Sequence, residues 1–324
     1  MGIVRLTRKI VFLGLDGATW SKLDEHIEKG LMPNLSSIIK NGSKGILNSN
    51  FPFTSYTAWT SIFTGANPGK HGIPHHSIKH KQELPSIWKI LSDKGIKSIV
   101  INDVITYPPF EIDGIMISGG IFTPTSSENF VYPPKIRKEI NLFNEPYTPS
   151  LDRNVLKLAN EGHLEEFLEE IEKYGKRVLN VALHLAEKYP WRVFATVIEE
   201  PDYIHHYCWD KPELLEKFYR QLDEKIKECY NLAETNDANF LIVSDHGFGP
   251  LKKYFLVNSW LSKSGFTKLH KPGKIRKTLS NTNLKRSFVR NTLSKFKMRK
   301  VASRITPQEI KNFIPMEKSE EGFI

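Results

Sequence analysis

Cysteine is scarce: the 324 residues contain two, Cys208 and Cys229. Two cysteines make no disulfide framework, so the core must hold the fold, and a reducing compartment is the simplest setting. Long apolar runs are also missing. No segment approaches the ~18 consecutive apolar residues of a membrane-spanning helix. The N-terminus, MGIVRLTRKIVFLGLDG, sets basic residues before an apolar run. That run is short for a secretory signal and reaches Asp16 without a small-residue cleavage site. It reads as a first strand, and the chain as cytoplasmic. Internal repeats are absent. Acidic residues are missing from one stretch, Lys263 to Arg304. Residues 251–324 carry 18 Lys and Arg against 4 Glu, whereas the rest carries 28 against 32. Such a basic stretch offers a surface to nucleic acid or anionic lipid. Its plainer reading is a solvated helical lid or a flexible tail, since no nucleic-acid motif accompanies it.

What is present suits a globular chain: 40% hydrophobic and 25% charged residues, enough for one large core without staples. Apolar β-rich runs alternate with helical patterns. Strands are predicted at Lys9–Leu15, Lys97–Ile101, Arg192–Ile198 and Asn239–Val243. Helices are predicted at Trp20–Lys29, Pro33–Lys40, Trp59–Thr64, Leu84–Lys94, His163–Tyr189 and Pro212–Leu232, with Gly175 the weak point of the longest. This alternation predicts an α/β fold, a mostly parallel central sheet with helices on both faces. Residues 1–262 are expected to form the core, with a cap-like insertion at 121–151 rich in Pro, Ser, Thr and Asn. Residues 263–324 are expected to be a basic helical or flexible segment.

In open α/β sheets, ligands bind outside the carboxyl ends of strands. Three predicted strands end in metal-type ligands: Asp16 after the first, then Glu199-Glu200-Pro201-Asp202-Tyr203-Ile204-His205-His206, then Ser244-Asp245-His246-Gly247. Carboxylates mixed with imidazoles suit zinc, or manganese in a more oxygen-rich site. Two such ions would clamp an in-line phosphoryl displacement. Hydroxyl groups cluster at Thr54, Ser55, Tyr56, Thr57, Thr60 and Ser61, leading into a helix whose N-terminal amides favour an anion.

The order LGLDG, then AWTSIFTGANPGKHGI, then EEPDYIHH, then VSDHGFGP resembles the type I phosphodiesterase/nucleotide pyrophosphatase family of the alkaline phosphatase superfamily, over roughly residues 9–260. The resemblance implies an alkaline-phosphatase-like core and two divalent ions, zinc or alternatively manganese. It implies Asp16, Asp245 and His246 at the ion nearest the nucleophile, and Asp202 and His206 at the second, with His205 the adjacent alternative. Ser55 is implied as nucleophile and metal contact, with Thr54 its rival. The implied reaction is hydrolysis of a phosphodiester or pyrophosphate through a phosphoseryl intermediate, on a phosphate-ester or nucleotide-like small molecule. Two departures stand out. Thr57-Ala58 occupies the place where the family often has Pro-Asn, leaving Thr57 as a substitute donor. The family also has a further His far downstream of SDHG as a third ligand to the second ion. The only later His here is His270, in a Lys-rich stretch, so the second site is expected to be incomplete. Phosphomonoesterase is one alternative; an impaired or truncated member that only binds metal or an anionic ligand is another. His71 is expected to order its loop, His75 and His76 to lie at the surface, and Glu199 and Glu200 to be supporting groups or solvated charges, Glu200 the latter.

Overall fold

A computed structural model of the chain describes residues 8–73, 84–141 and 147–267. His75, His76, His270 and the basic stretch from residue 268 onward lie outside the described residues. The chain divides after Pro250 into two compact units.

The first unit opens with β1 (Lys9–Leu15), then α1 (Trp20–Glu28), α2 (Pro33–Asn41), α3 (Ser55–Thr64), α4 (Pro68–His71) and α5 (Ile87–Asp93). It continues through β2 (Ser98–Asp103), β3 (Gly114–Ser118), β4 (Val131–Tyr132), a 3-10 turn at Pro134–Ile136, α6 (Arg137–Ile140), α7 (Arg153–Glu161) and α8 (Leu164–Lys188). It closes with β5 (Val193–Ile198), α9 (Glu200–Cys208), α10 (Pro212–Thr235) and β6 (Ala238–Val243).

The six strands form one sheet in the order β4-β3-β2-β5-β1-β6. Every pairing is parallel except that of the short β4 with β3. Side chains alternate across a strand, and on β1, β2 and β5 both faces are covered, as their near-continuous apolar runs require, whereas edge strand β6 leaves Asn239 and Leu241 exposed. Val11, Leu13, Ile99, Ile101, Phe194 and Ile198 join one core with residues of α1, α2, α8, α9 and α10. Phe12, Val100, Ala195 and Val197 join the other with Trp59 and Phe63 of α3 and Trp88 and Leu91 of α5. Helices therefore lie on both faces of a mostly parallel sheet, as the alternation of patterns predicts.

Registry positions the site. Leu15 pairs with Ile198, and Gly14 with Val243. The carboxyl ends of three adjacent strands, β5, β1 and β6, are thus level to within about one residue. Gly14 has a packing role in this arrangement: a Cβ there would come within 2.6 Å of the Trp59 ring. Its absence lets the indole lie directly on β1.

Several elements escape the sequence pattern. α3 begins at Ser55, ahead of the predicted Trp59, because its first turn is hydroxyl-rich. β3 follows a loop and carries only five residues, and β4 only two. The segment after β5 forms α9, which the proline at its first turn permits. Gly175 does not weaken α8 by accident. A Cβ there would sit 1.5 Å from Oε1 of Glu200. Glu200 is buried and ion-paired with Lys225 of α10 at 2.8 Å, which corrects the expectation of a solvated charge.

In the second unit, the described residues contain α11 (Val257–Lys263). Trp260 packs against Phe255 and Phe266, with ring centroids 5.8 and 6.4 Å apart. Among the described residues, no helix is long and apolar enough to cross a membrane.

Candidate functional site

The segments leaving β5, β1 and β6, together with the N-terminus of α3, bring together the six residues singled out from sequence. Asp16 follows β1 directly and is buried. Its Oδ1 accepts a hydrogen bond from the Ser55 hydroxyl at 3.1 Å, and its Oδ2 accepts one from the Trp59 indole at 3.0 Å. Ser55 Oγ lies 3.2 Å from Nε2 of His246. That nitrogen is also 3.5 Å from Asp16, 3.6 Å from Asp245 and 3.9 Å from Asp202. Asp202 and His206 stand four residues apart on α9, on one face, with Oδ1 and Nε2 3.6 Å apart.

Each position has a local cause. Ser55 is the first residue of α3, after Thr54 in extended conformation. Thr54 turns its hydroxyl to Thr57 at 3.1 Å, whereas Ser55 points at Asp16 and His246. Thr57 is fully buried. Gly17 adopts φ +65°, a conformation favoured by glycine, and its N–H donates to Oδ1 of Asp245 at 3.1 Å. A Cβ on Gly17 would also press within 3.0 Å of Asp202. Ser244 donates to the carbonyl oxygens of Ala18 and His246, tying the β6 loop to the β1 loop.

The two adjacent histidines separate in space. On a helix, successive side chains diverge by about 100°. His206 faces Asp202 and meets Phe248 edge-on, with centroids 4.8 Å apart. His205 turns inward: Nδ1 is 3.1 Å from the Gly17 carbonyl oxygen and Nε2 is 2.8 Å from the Tyr219 hydroxyl. Both its nitrogens are occupied. His71 likewise orders its loop, accepting from Ile73 N–H at Nδ1 and meeting Ser61 Oγ at Nε2.

The electrostatics are those of crowded, buried anions. Burial, then repulsion from Asp202, pushes Asp16 up to about 6, and burial pushes Asp202 up to about 6. Burial, then repulsion from Asp16, pushes Asp245 up to about 8. For His246, burial favours the neutral ring, but Asp245, Asp16 and Asp202 together outweigh it and raise the imidazole to about 9. Oδ2 of Asp245 is buried and accepts no hydrogen bond among the described residues. One ligand atom from each of Asp16, Asp245 and His246 falls within 4.8 Å of the others. Such a set of carboxylate and imidazole donors, short of positive charge and holding an orphaned carboxylate oxygen, fits a divalent cation.

A supporting layer lies behind this cluster, and spacing alone did not reveal it. Glu199 is buried, raised to about 8 by burial and by Asp16, and accepts from Asn102 and Tyr174 at 3.3 and 3.1 Å. Asn102 holds φ +61°, sparsely populated by residues other than glycine. Trp59 reads in sequence as core alone, and nothing marks its indole as a partner for Asp16. Asp-Gly at a strand end was the one visible signal for Gly17.

The sequence profile of the type I phosphodiesterase / nucleotide pyrophosphatase family matches residues 10–320. Comparison with curated proteins finds no match. Among solved structures, phosphonoacetate hydrolase from Sinorhizobium meliloti 1021 in complex with phosphonoformate is similar at 17% identity and TM-score 0.51, over 79% of this chain and 61% of that one. The same protein in complex with phosphonoacetate gives 17% and 0.50, over 80% and 62%. Murine ectonucleotide pyrophosphatase / phosphodiesterase 5 gives 16% and 0.41, over 74% and 57%. The chain thus spans 61% of the length of the hydrolase in its phosphonoformate complex, and the likeness to that enzyme is one of fold.

Proposed function

This chain belongs to the type I phosphodiesterase / nucleotide pyrophosphatase family, and on that premise we propose that it is a metal-dependent hydrolase of phosphodiester or pyrophosphate bonds with Ser55 as nucleophile. The observation that carries the reading is the meeting of Ser55 Oγ with Asp16 and His246 at 3.1 and 3.2 Å, at the N-terminus of α3. A serine placed against a carboxylate and an imidazole, at a helix N-terminus that favours anions, suits attack on a phosphoryl group.

In this reading Asp16, Asp245 and His246 hold one divalent ion, with Ser55 beside it, and Asp202 and His206 hold a second. Zinc is the expected metal and manganese the alternative. When bound, the ions supply positive charge that stabilises the oxyanions developing at phosphorus. The protein's own groups do the rest. Asp16 accepts the hydrogen bond of the Ser55 hydroxyl and orients its oxygen, and the Trp59 indole fixes the other oxygen of Asp16. Ser55 Oγ bonds to phosphorus and its proton passes to the carboxylate side. The bond from phosphorus to the leaving alcohol or phosphate breaks, and that group takes up, by way of water, the proton that Ser55 gave to the carboxylate. A second water then cleaves the phosphoserine, returning the hydroxyl and releasing phosphate or its monoester. Residues 121–151 supply edge strand β4 and core side chains, and the start of this segment shapes substrate choice; in support, its Phe122 packs edge-on against Tyr56, next to Ser55, at 4.8 Å.

The test is turnover of bis(p-nitrophenyl) phosphate with zinc or manganese. Metal-dependent release of p-nitrophenol that Ser55→Ala removes is expected. Preference for p-nitrophenyl phosphate would move the assignment to a phosphomonoesterase, and release of neither product would overturn the hydrolase.

A further inference from the structure

α10 contacts the candidate metal centre without contributing a residue to it, through His205. The Tyr219 hydroxyl lies 2.8 Å from His205 Nε2, and His205 Nδ1 lies 3.1 Å from the Gly17 carbonyl oxygen. The Gly17 N–H then donates to Oδ1 of Asp245 at 3.1 Å. A carbonyl oxygen only accepts, so Nδ1 of His205 carries the proton, and Nε2 accepts from the tyrosine. The ring is buried, with Trp209 and Phe248 centroids 5.3 and 5.2 Å away.

We propose that His205 is a positioning residue, holding through the backbone on either side of Gly17 the two metal-facing carboxylates, Asp16 and Asp245, at a fixed separation. Gly17 is the covalent neighbour of Asp16 and the hydrogen-bond donor to Asp245, so one peptide unit sets both. With Oδ1 of Asp245 committed to Gly17, its Oδ2, which accepts no hydrogen bond and lies 3.6 Å from His246 Nε2, is the oxygen left for the cation. His205 pins the next peptide, Gly17–Ala18, by its carbonyl oxygen, so the backbone on both sides of the Gly17 Cα is held when the carboxylates repel each other. The role rests on the metal-centre reading above.

The experiment is calorimetric titration of manganese into purified full-length protein and its variants. His205→Leu removes both hydrogen bonds, whereas His205→Asn returns an N–H near the place of Nδ1. The expectation is a manganese affinity roughly 10–100-fold weaker in the leucine variant, the usual cost of losing a group that orients a ligand, and largely restored by asparagine. Melting of the metal-free variants checks that both fold alike. Should the leucine variant fail to fold, nitrogen NMR of the metal-free wild type decides: a proton on Nδ1 of His205 supports the role, and one on Nε2 overturns it. A leucine variant that binds manganese like wild type overturns the role and leaves the metal centre standing. A wild type that binds none overturns both.

Discussion

Ser55 Oγ and His246 Nε2 lie 3.2 Å apart although 191 residues separate them in the chain. The pairing is made by registry: α3 delivers the serine over the end of β1, and the β6 loop delivers the histidine beside it. Asp245, Asp16 and Asp202 raise the His246 imidazole to about 9, which favours its charged form beside Ser55. Ser55→Ala is expected to lower kcat on the order of 10⁴-fold while leaving bound metal in place. Thr54→Ala, which removes a hydroxyl turned toward Thr57, is expected to change kcat by less than roughly 10-fold. Steady-state turnover of an aryl phosphodiester checks both, and the reverse ranking would make Thr54 the nucleophile.

Trp59 and Asp16 are linked by an indole hydrogen bond of 3.0 Å inside the core. Trp59→Phe keeps an aromatic ring over Gly14 but leaves Oδ2 of Asp16 without its donor. Loss of such a bond to a buried charged group costs about 1.5–3 kcal/mol. Lower metal affinity, with an intact circular-dichroism spectrum, is the expected result; unchanged affinity would mean that the indole only fills space.

Gly175→Ala provides a test of packing. Alanine normally favours a helix over glycine by about 1 kcal/mol. Here its Cβ would lie 1.5 Å from the Glu200 carboxylate and force apart the buried pair with Lys225. Breaking a buried pair costs about 3–5 kcal/mol, so a net loss of roughly 2–4 kcal/mol is expected in urea unfolding. A stabilised variant would contradict the packing described.

The metal-free chain should weaken as pH rises. Asp245 and Glu199 are raised to about 8, Asp103 to about 7 and His246 to about 9. A raised group binds its proton in the folded chain where the unfolded chain has released it. Its stabilising contribution is full below the unfolded value and is lost as pH climbs through the folded one. The three carboxyls act from roughly pH 4 up to about 7 or 8, and His246 from roughly pH 6.5 to about 9, all in the same direction. The melting temperature of chelator-treated protein should fall by a few degrees across these windows, and less with metal bound, since metal replaces protons at Asp245 and His246. A melting temperature rising with pH would contradict the burial of these groups.

Much of this was legible in the residues themselves. The runs KIVFLGL and RVFATVI are too apolar for one-sided strands and lie side by side in the sheet interior, whereas NFLIV forms the edge strand beside them with Asn239 and Leu241 exposed. Asp16, Asp202 and Asp245 were visible as acids at strand ends, and the structure clusters them with Ser55, His206 and His246. What stayed hidden depends on contacts between distant segments. The two-residue β4 has no period to detect. Glu200 looks like a surface acid until Lys225 and the missing Cβ of Gly175 are brought to it. His205 and His206 are identical in sequence terms, and only the turn of α9 sends one to Tyr219 and the other to Asp202.

The central claim is that Asp16, Asp245 and His246 form a cation site, and elemental analysis tests it most directly. Wild type and Asp245→Asn would be saturated with zinc or manganese, desalted, and assayed for metal per chain. The account predicts at least one ion retained by wild type and its loss from the variant, since the buried Oδ2 of Asp245 is a carboxylate oxygen that accepts no hydrogen bond. A wild type that holds no metal, or a variant that holds as much as wild type, would contradict it.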